Sequence, residues 1–114
     1  MGIPQPGRPV RGSRTGRPVM VLLDLLGRRW ALRILWELRA ETLNFRELRT
    51  RCDSMSPSVL NQRLAELRDT GIVEMTDGGY CLTRDGTELL LALAPIDKWA
   101  KRWARRKHGA LEEI

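Results

Sequence analysis

Ser56, Ser58, Asn61 and Gln62 make up the part of this chain best equipped for recognition chemistry. All four carry uncharged donors and acceptors. A carboxamide can pair with the edge of adenine through two hydrogen bonds, and a serine hydroxyl can give or accept one in the major groove of DNA. Their spacing puts them on one element. Leu60, Leu64 and Leu67 follow an i, i+4, i+7 pattern and form one apolar stripe, which leaves Ser58, Asn61 and Gln62 on the other side of the same helix. Surface helices more often carry Glu and Lys there. A polar, nearly uncharged face near a helix N-terminus is what a recognition helix presents to base edges. An ordinary amphipathic hairpin of two helices would show the same stripe, and this stretch alone leaves both readings open.

Catalysis has far less to work with. His108 is the single histidine, and no nucleophile or carboxylate is placed to complete a triad with it. No Gly-rich phosphate loop, metal-spaced cluster or paired acid motif is present. Glu41, Glu47 and Glu66 read as solvated helix positions. The chain is expected to be a non-enzyme with no cofactor and no metal. Cys52 and Cys81 fit a reducing compartment and are too few for a four-ligand zinc site. Each reads first as a small buried hydrophobe, although Arg49 and Arg51 near Cys52 would lower its pKa if it were exposed.

The elements that position the recognition face follow from caps and breakers. Asn44 and Glu47 make a capping box ahead of a helix over Phe45 to Cys52. Asp53, Ser54 and Met55 break it. Ser56 caps the next helix, about 56–70, with Pro57 in its first turn, where a missing N–H costs nothing, and Gly71 ends it. Ile72 to Thr76 and Tyr80 to Thr83 then read as two short strands around the turn Asp77-Gly78-Gly79. A hairpin directly after such a helix makes a winged helix-turn-helix.

Two further helices precede this unit and one follows it. Val19 to Leu26 is short and apolar and stops at Gly27; Trp30 to Arg39 is next. Ala31, Ile34, Leu35 and Leu38 should face the core, while Leu32 and Trp36 point nearly the opposite way and need a second partner. The last helix starts after Thr83, a plausible N-cap. Leu89, Leu93, Ile96, Ala100 and Trp103 hold one stripe along it, and Pro95 should kink it or split it in two. A stripe this long outruns a small domain, and a symmetry mate is the economical way to bury it.

The 114 residues carry a net charge of +6, with 17 Arg against 3 Lys. That balance admits an anionic partner without proving one. The positive charge sits at the two ends: four arginines and no acid in residues 1–18, six basic residues and no acid in 98–107. Residues 1–18 are rich in Pro and Gly and are expected to be a disordered arm, either tracking phosphates or simply solvated. Residues 19–108 should form one domain, and 109–114 a frayed tail. No secretory signal or stretch of ~18 apolar residues is visible, so no membrane partner and a cytoplasmic location are expected.

LLDLLGRRWALRILWEL, NFRELRTRCDSMSPSVLNQRLAELRDTGIVE and YCLTRDGTELLLALAPIDKWA resemble the HxlR-type winged-helix transcriptional regulators of bacteria, from about Val21 to Trp99. The most telling pieces are Gly27-Arg-Arg-Trp30, Ser56-Pro57 with Leu60, Gln62-Arg63-Leu64 and Leu67, and Tyr80-x-Leu-Thr-x-x-Gly86. The family's wing is usually longer and more basic than the one here. Some of its members respond to electrophiles through a cysteine near the N-terminus, and this chain has none before Cys52.

The expected architecture is therefore mainly α with a small β-hairpin, a winged helix-turn-helix with flanking N- and C-terminal dimerisation helices. The expected partners are double-stranded DNA and a second copy of the chain, as the resemblance also implies; any small-molecule effector is unspecified. Base reading falls to Ser56, Ser58, Asn61 and Gln62. Phosphate contact falls to Arg46 and Arg49, with Arg63 either reaching a phosphate or pairing inside the domain. The dimer seam would use Leu32, Trp36, Leu89, Leu93, Ile96, Trp99 and Trp103. A different class of reading competes: a winged-helix interaction module that no longer reads DNA, favoured by the short acidic wing.

Overall fold

The structure, a computed structural model, describes residues 3–10 and 14–112, with the backbone alone over 109–112. Five helices and one hairpin follow in the order α1 (Pro18–Leu26), α2 (Ala31–Glu37), α3 (Phe45–Arg51), α4 (Pro57–Asp69), β1 (Val73–Thr76), β2 (Gly79–Leu82) and α5 (Arg84–Glu112). This is a mainly helical winged helix-turn-helix.

The core is aliphatic. Ile34 and Leu35 of α2, Leu48 of α3, Leu60, Leu64 and Leu67 of α4, and Val73 of β1 are fully buried together with Leu43 and Cys52. The i, i+4, i+7 stripe of α4 thus supplies the floor on which the helix rests, and it fixes which side of α4 stays outside.

The break between α3 and α4 is a tight turn. Asp53 and Ser54 both adopt positive φ, at 58° and 54°, a region that short polar side chains tolerate best among non-glycine residues. The Asn44–Glu47 capping box is present in full at the start of α3. Ser56 caps α4 through Val59 N–H at 3.5 Å, with Pro57 at the first helical position.

β1 and β2 pair antiparallel, with Val73 opposite Leu82 and Thr76 opposite Gly79, so the turn is shorter than expected and Gly79 enters the strand. The reason lies across the sheet. Leu43 bridges Tyr80 through two backbone hydrogen bonds of 3.0 and 2.7 Å, and a Cβ on Gly79 would sit 2.4 Å from the Leu43 carbonyl oxygen. Only glycine lets the strands approach that closely. Gly86 does the same for the base of α5, where a Cβ would lie 2.2 Å from the Ile72 oxygen. Thr83 joins these parts: its hydroxyl donates to Gly71 O at 2.6 Å and accepts from Gly86 N–H at 3.1 Å.

Two expectations change. α5 is not split; it runs through Pro95 as one helix, Arg84–Glu112. Pro95 removes a single backbone donor in an exposed stretch, where water can satisfy the freed carbonyl. Glu66, expected to be solvated, is 3% exposed. Among the described residues of the N-terminal segment, Pro4 is buried, Gly7 N–H donates to Gly16 O at 3.0 Å, and Gln5 Nε2 donates to Asp69 Oδ2 at 2.7 Å. The placement of the remaining residues, including 113–114 of the expected tail, lies outside the described chain.

Candidate nucleic-acid interface

With Leu60, Leu64 and Leu67 turned into the core, α4 leaves Ser58, Asn61, Gln62, Ala65 and Arg68 exposed. Three of the four residues expected to read bases therefore share one outward face. Ser56 precedes it as the cap, and its hydroxyl lies 3.0 Å from that of Ser58. One serine is thus partly committed to holding the helix start, while Asn61 and Gln62 have no hydrogen-bond partner among the described residues.

The three expected phosphate contacts separate. Arg46 is exposed on α3 with its guanidinium unpaired among the described residues. Arg49 turns back instead. Its Nε donates to Met55 O at 2.7 Å and braces the α3–α4 turn. Arg63 points inward, with Nε donating to Arg29 O at 2.8 Å and Nη1 to Glu66 Oε1 at 2.5 Å. Its nearness to the apolar stripe decides its role: it serves the interior of the domain and does not stand on the reading face.

Arg63 belongs to a network that sequence reasoning missed. Glu66 takes Arg28 and Arg63 on its two carboxylate oxygens, and Arg28 also lies 3.6 Å from Asp24. α4 is thereby tied to the end of α1 and to the α1–α2 connection, where Trp30 adopts a left-handed φ of 76°. Arg68 was missed as well. It falls nearly two helix turns past Asn61 and Gln62, on the same exposed face, with no partner among the described residues.

Of the expected seam residues, Leu32, Trp36, Ile96, Trp99 and Trp103 are each about half exposed. Trp99 and Trp103 stack on each other with centroids 5.9 Å apart. The Arg39 guanidinium lies 3.8 Å over the Trp36 ring. Leu89 and Leu93 differ. Both pack partly against the core of their own domain, so α5 divides its stripe between its own fold near the start and open surface further on.

Cys52 is fully buried, and burial pushes its thiol pKa up; the nearby cation that opposes this is Arg33, not Arg49 or Arg51. Cys81 is also pushed up, by burial and then by Glu74, whose carboxylate accepts its S–H at 3.7 Å. Neither is poised as a thiolate. Among the described residues no cluster of metal ligands is present, and no helix is long and apolar enough to cross a membrane.

The family model described as HxlR-like helix-turn-helix matches residues 25–108. The chain belongs to this family. It is a transcriptional regulator of HxlR type and not an enzyme, and DNA binding is the work of its fold. YvaP of Bacillus subtilis, described as an uncharacterized HTH-type transcriptional regulator, is 32% identical over 88 residues, which span 71% of this chain and 82% of YvaP. The structure of quinone-bound YodB from B. subtilis superposes with a TM-score of 0.71 at 30% identity, over 75% of this chain and 97% of that one. A possible HxlR family transcriptional factor from Thermoplasma volcanium superposes at 0.63 with 28% identity, over 74% and 82%.

Proposed function

We propose that this HxlR-type regulator acts as a homodimer that sets two α4 helices into successive major grooves, about 34 Å apart, on a pseudo-palindromic site. One observation carries the reading: α4 exposes an uncharged face of Ser58, Asn61 and Gln62, with Arg68 further along it and Arg46 on α3 both exposed and unpaired among the described residues. Carboxamides and hydroxyls read base edges, and the arginines hold phosphates on either side. The half-exposed Leu32, Trp36, Ile96, Trp99 and Trp103 support pairing of the flanking helices, α2 before the reading unit and α5 after it, as their apolar area favours a second copy over water.

The test is a salt titration of binding to random duplex, followed by selection of a preferred site. A DNA reader loses affinity steeply as salt rises, because counterion release then gains less, and selects two inverted half-sites. The exposed, acidic wing, with Glu74 and Asp77, favours the competing interaction module. A flat salt response with no selected site would decide for that module.

A further inference from the structure

A cleft of about 480 Å³ opens between α1 and α4, lined by Met20, Leu23, Asp24, Gly27, Arg28, Gln62 and Arg63. Its size is that of a small-molecule site. The two walls differ in chemistry. From α1 come the thioether of Met20, the side chain of Leu23, which is 54% exposed, and Gly27, which adds no side chain to the opening. Together they make the apolar side of the cleft. Asp24 and Arg28 also line the cleft, where they pair with each other at 3.6 Å. From α4 come donors. Arg63 spends Nε on Arg29 O and Nη1 on Glu66, and its two Nη2 hydrogens have no partner among the described residues. The Arg63 side chain as a whole is 17% exposed. The Gln62 carboxamide is exposed beside it, equally without a partner. Fixed guanidinium hydrogens next to an apolar strip suit a carboxylate on a compact apolar body, since planar N–H pairs match carboxylate oxygens.

We propose that this cleft binds a small organic carboxylate and that its occupation competes with base reading by Gln62. The second clause rests on the major-groove reading above; the first does not. A ligand oxygen held by the Gln62 amide takes the donor that a base would need, so the occupied protein loses preference at one base pair per half-site. The Glu66 network makes the site stiff, because Arg63 is held at two other atoms and cannot swing away from an incoming anion.

The full chain is titrated with benzoate, with benzamide as the uncharged counterpart, and followed by NMR and thermal shift. Benzoate is expected to saturate, raise the unfolding temperature, and move the Met20 methyl, Gly27 amide and Gln62 side-chain signals; benzamide should do neither. Leu23→Glu sets a carboxylate at the lip and should weaken benzoate about tenfold through like-charge repulsion, with circular dichroism verifying the fold. Equal binding of benzamide overturns the proposal. So does the absence of saturable binding, or signal changes confined to the basic stretch 98–107. In a separate arm, base preference is measured with benzoate at saturation. Unchanged preference in an occupied protein overturns the competition alone, and because the first arm contains no DNA, a failure of the major-groove reading leaves the cleft result standing.

Discussion

Glu66→Gln removes one charge at almost constant shape from the most deeply placed ionic group of the described chain. The Glu66 side chain is 4% exposed and holds Arg28 and Arg63, whose side chains are 19% and 17% exposed. Breaking a buried ion group by removing one member costs about 3–5 kcal/mol, because the remaining charge is left uncompensated. Here two effects lower that figure. Both guanidiniums reach some water, and Asp24 stays 3.6 Å from Arg28. A glutamine carbonyl can also still accept from one of them, while its NH2 must face the other. The expected loss is about 2–3 kcal/mol, which in a domain of this size is roughly 10–20 °C in unfolding midpoint. Urea unfolding followed by tryptophan fluorescence measures it, at one fixed protein concentration so that self-association does not shift the comparison. Glu88→Gln serves as control. Its carboxylate meets Arg84 at 3.2 Å, but the side chains are 60% and 93% exposed, so the change should stay within about 0.5 kcal/mol. A Glu66→Gln protein no less stable than that control would refute the reasoning, since the network would then be incidental to the fold.

Gln62→Ala should lower affinity for the selected site by roughly ten- to a hundred-fold and flatten preference at one base pair per half-site, as loss of a bidentate pair does. Arg46→Ala should weaken all duplexes alike and reduce the salt slope by about one; identical behaviour of the two variants would remove the distinction between reading and holding. Trp103→Asp should give folded monomers in sedimentation, and a wild-type monomer at about tens of micromolar would sink the pairing through α5. Cys52 should react with iodoacetamide far more slowly than Cys81 in the native protein. Because burial raises the folded pKa of Cys52, the native state holds that proton more tightly than the unfolded chain does. Stability from this group is therefore complete below the ordinary thiol range and falls as pH climbs through and beyond it. Equally fast labelling of both cysteines would show that the core around Cys52 opens.

How much of this was legible in the sequence depends on the distance over which each feature is decided. The capping box at Asn44, the Ser56-Pro57 start and the leucine stripe of α4 are set by residues within one or two turns of one another, and each stands where the local pattern put it. The hairpin turn was misjudged by one residue because its register is set by Leu43, more than thirty positions before Tyr80. Pro95 does not split α5 because the carbonyl it frees can bond to water, and α5 is exposed there.

The interface itself divided along the same line. Ser58, Asn61 and Gln62 were found because an exposed face is simply what remains after the stripe is subtracted. Arg46, Arg49 and Arg63 have the same side chain; the position of Arg63 beside the apolar stripe allows it to turn inward without requiring it, and nothing in the spacing separates Arg49 from Arg46. Arg49 turns inward because the positive φ of Asp53 and Ser54 brings the Met55 carbonyl back over its own helix. Arg63 does so because Glu66 one turn later is already committed to Arg28, 38 residues earlier in the chain. A carboxylate at the border of an apolar stripe reads as solvated until a distant cation closes over it. Periodicity can rank positions by face, but a border position is settled by what arrives from elsewhere in the chain. The exposed polar face of α4, not the pairing of the arginines around it, is therefore the part of this surface that a single sequence specifies.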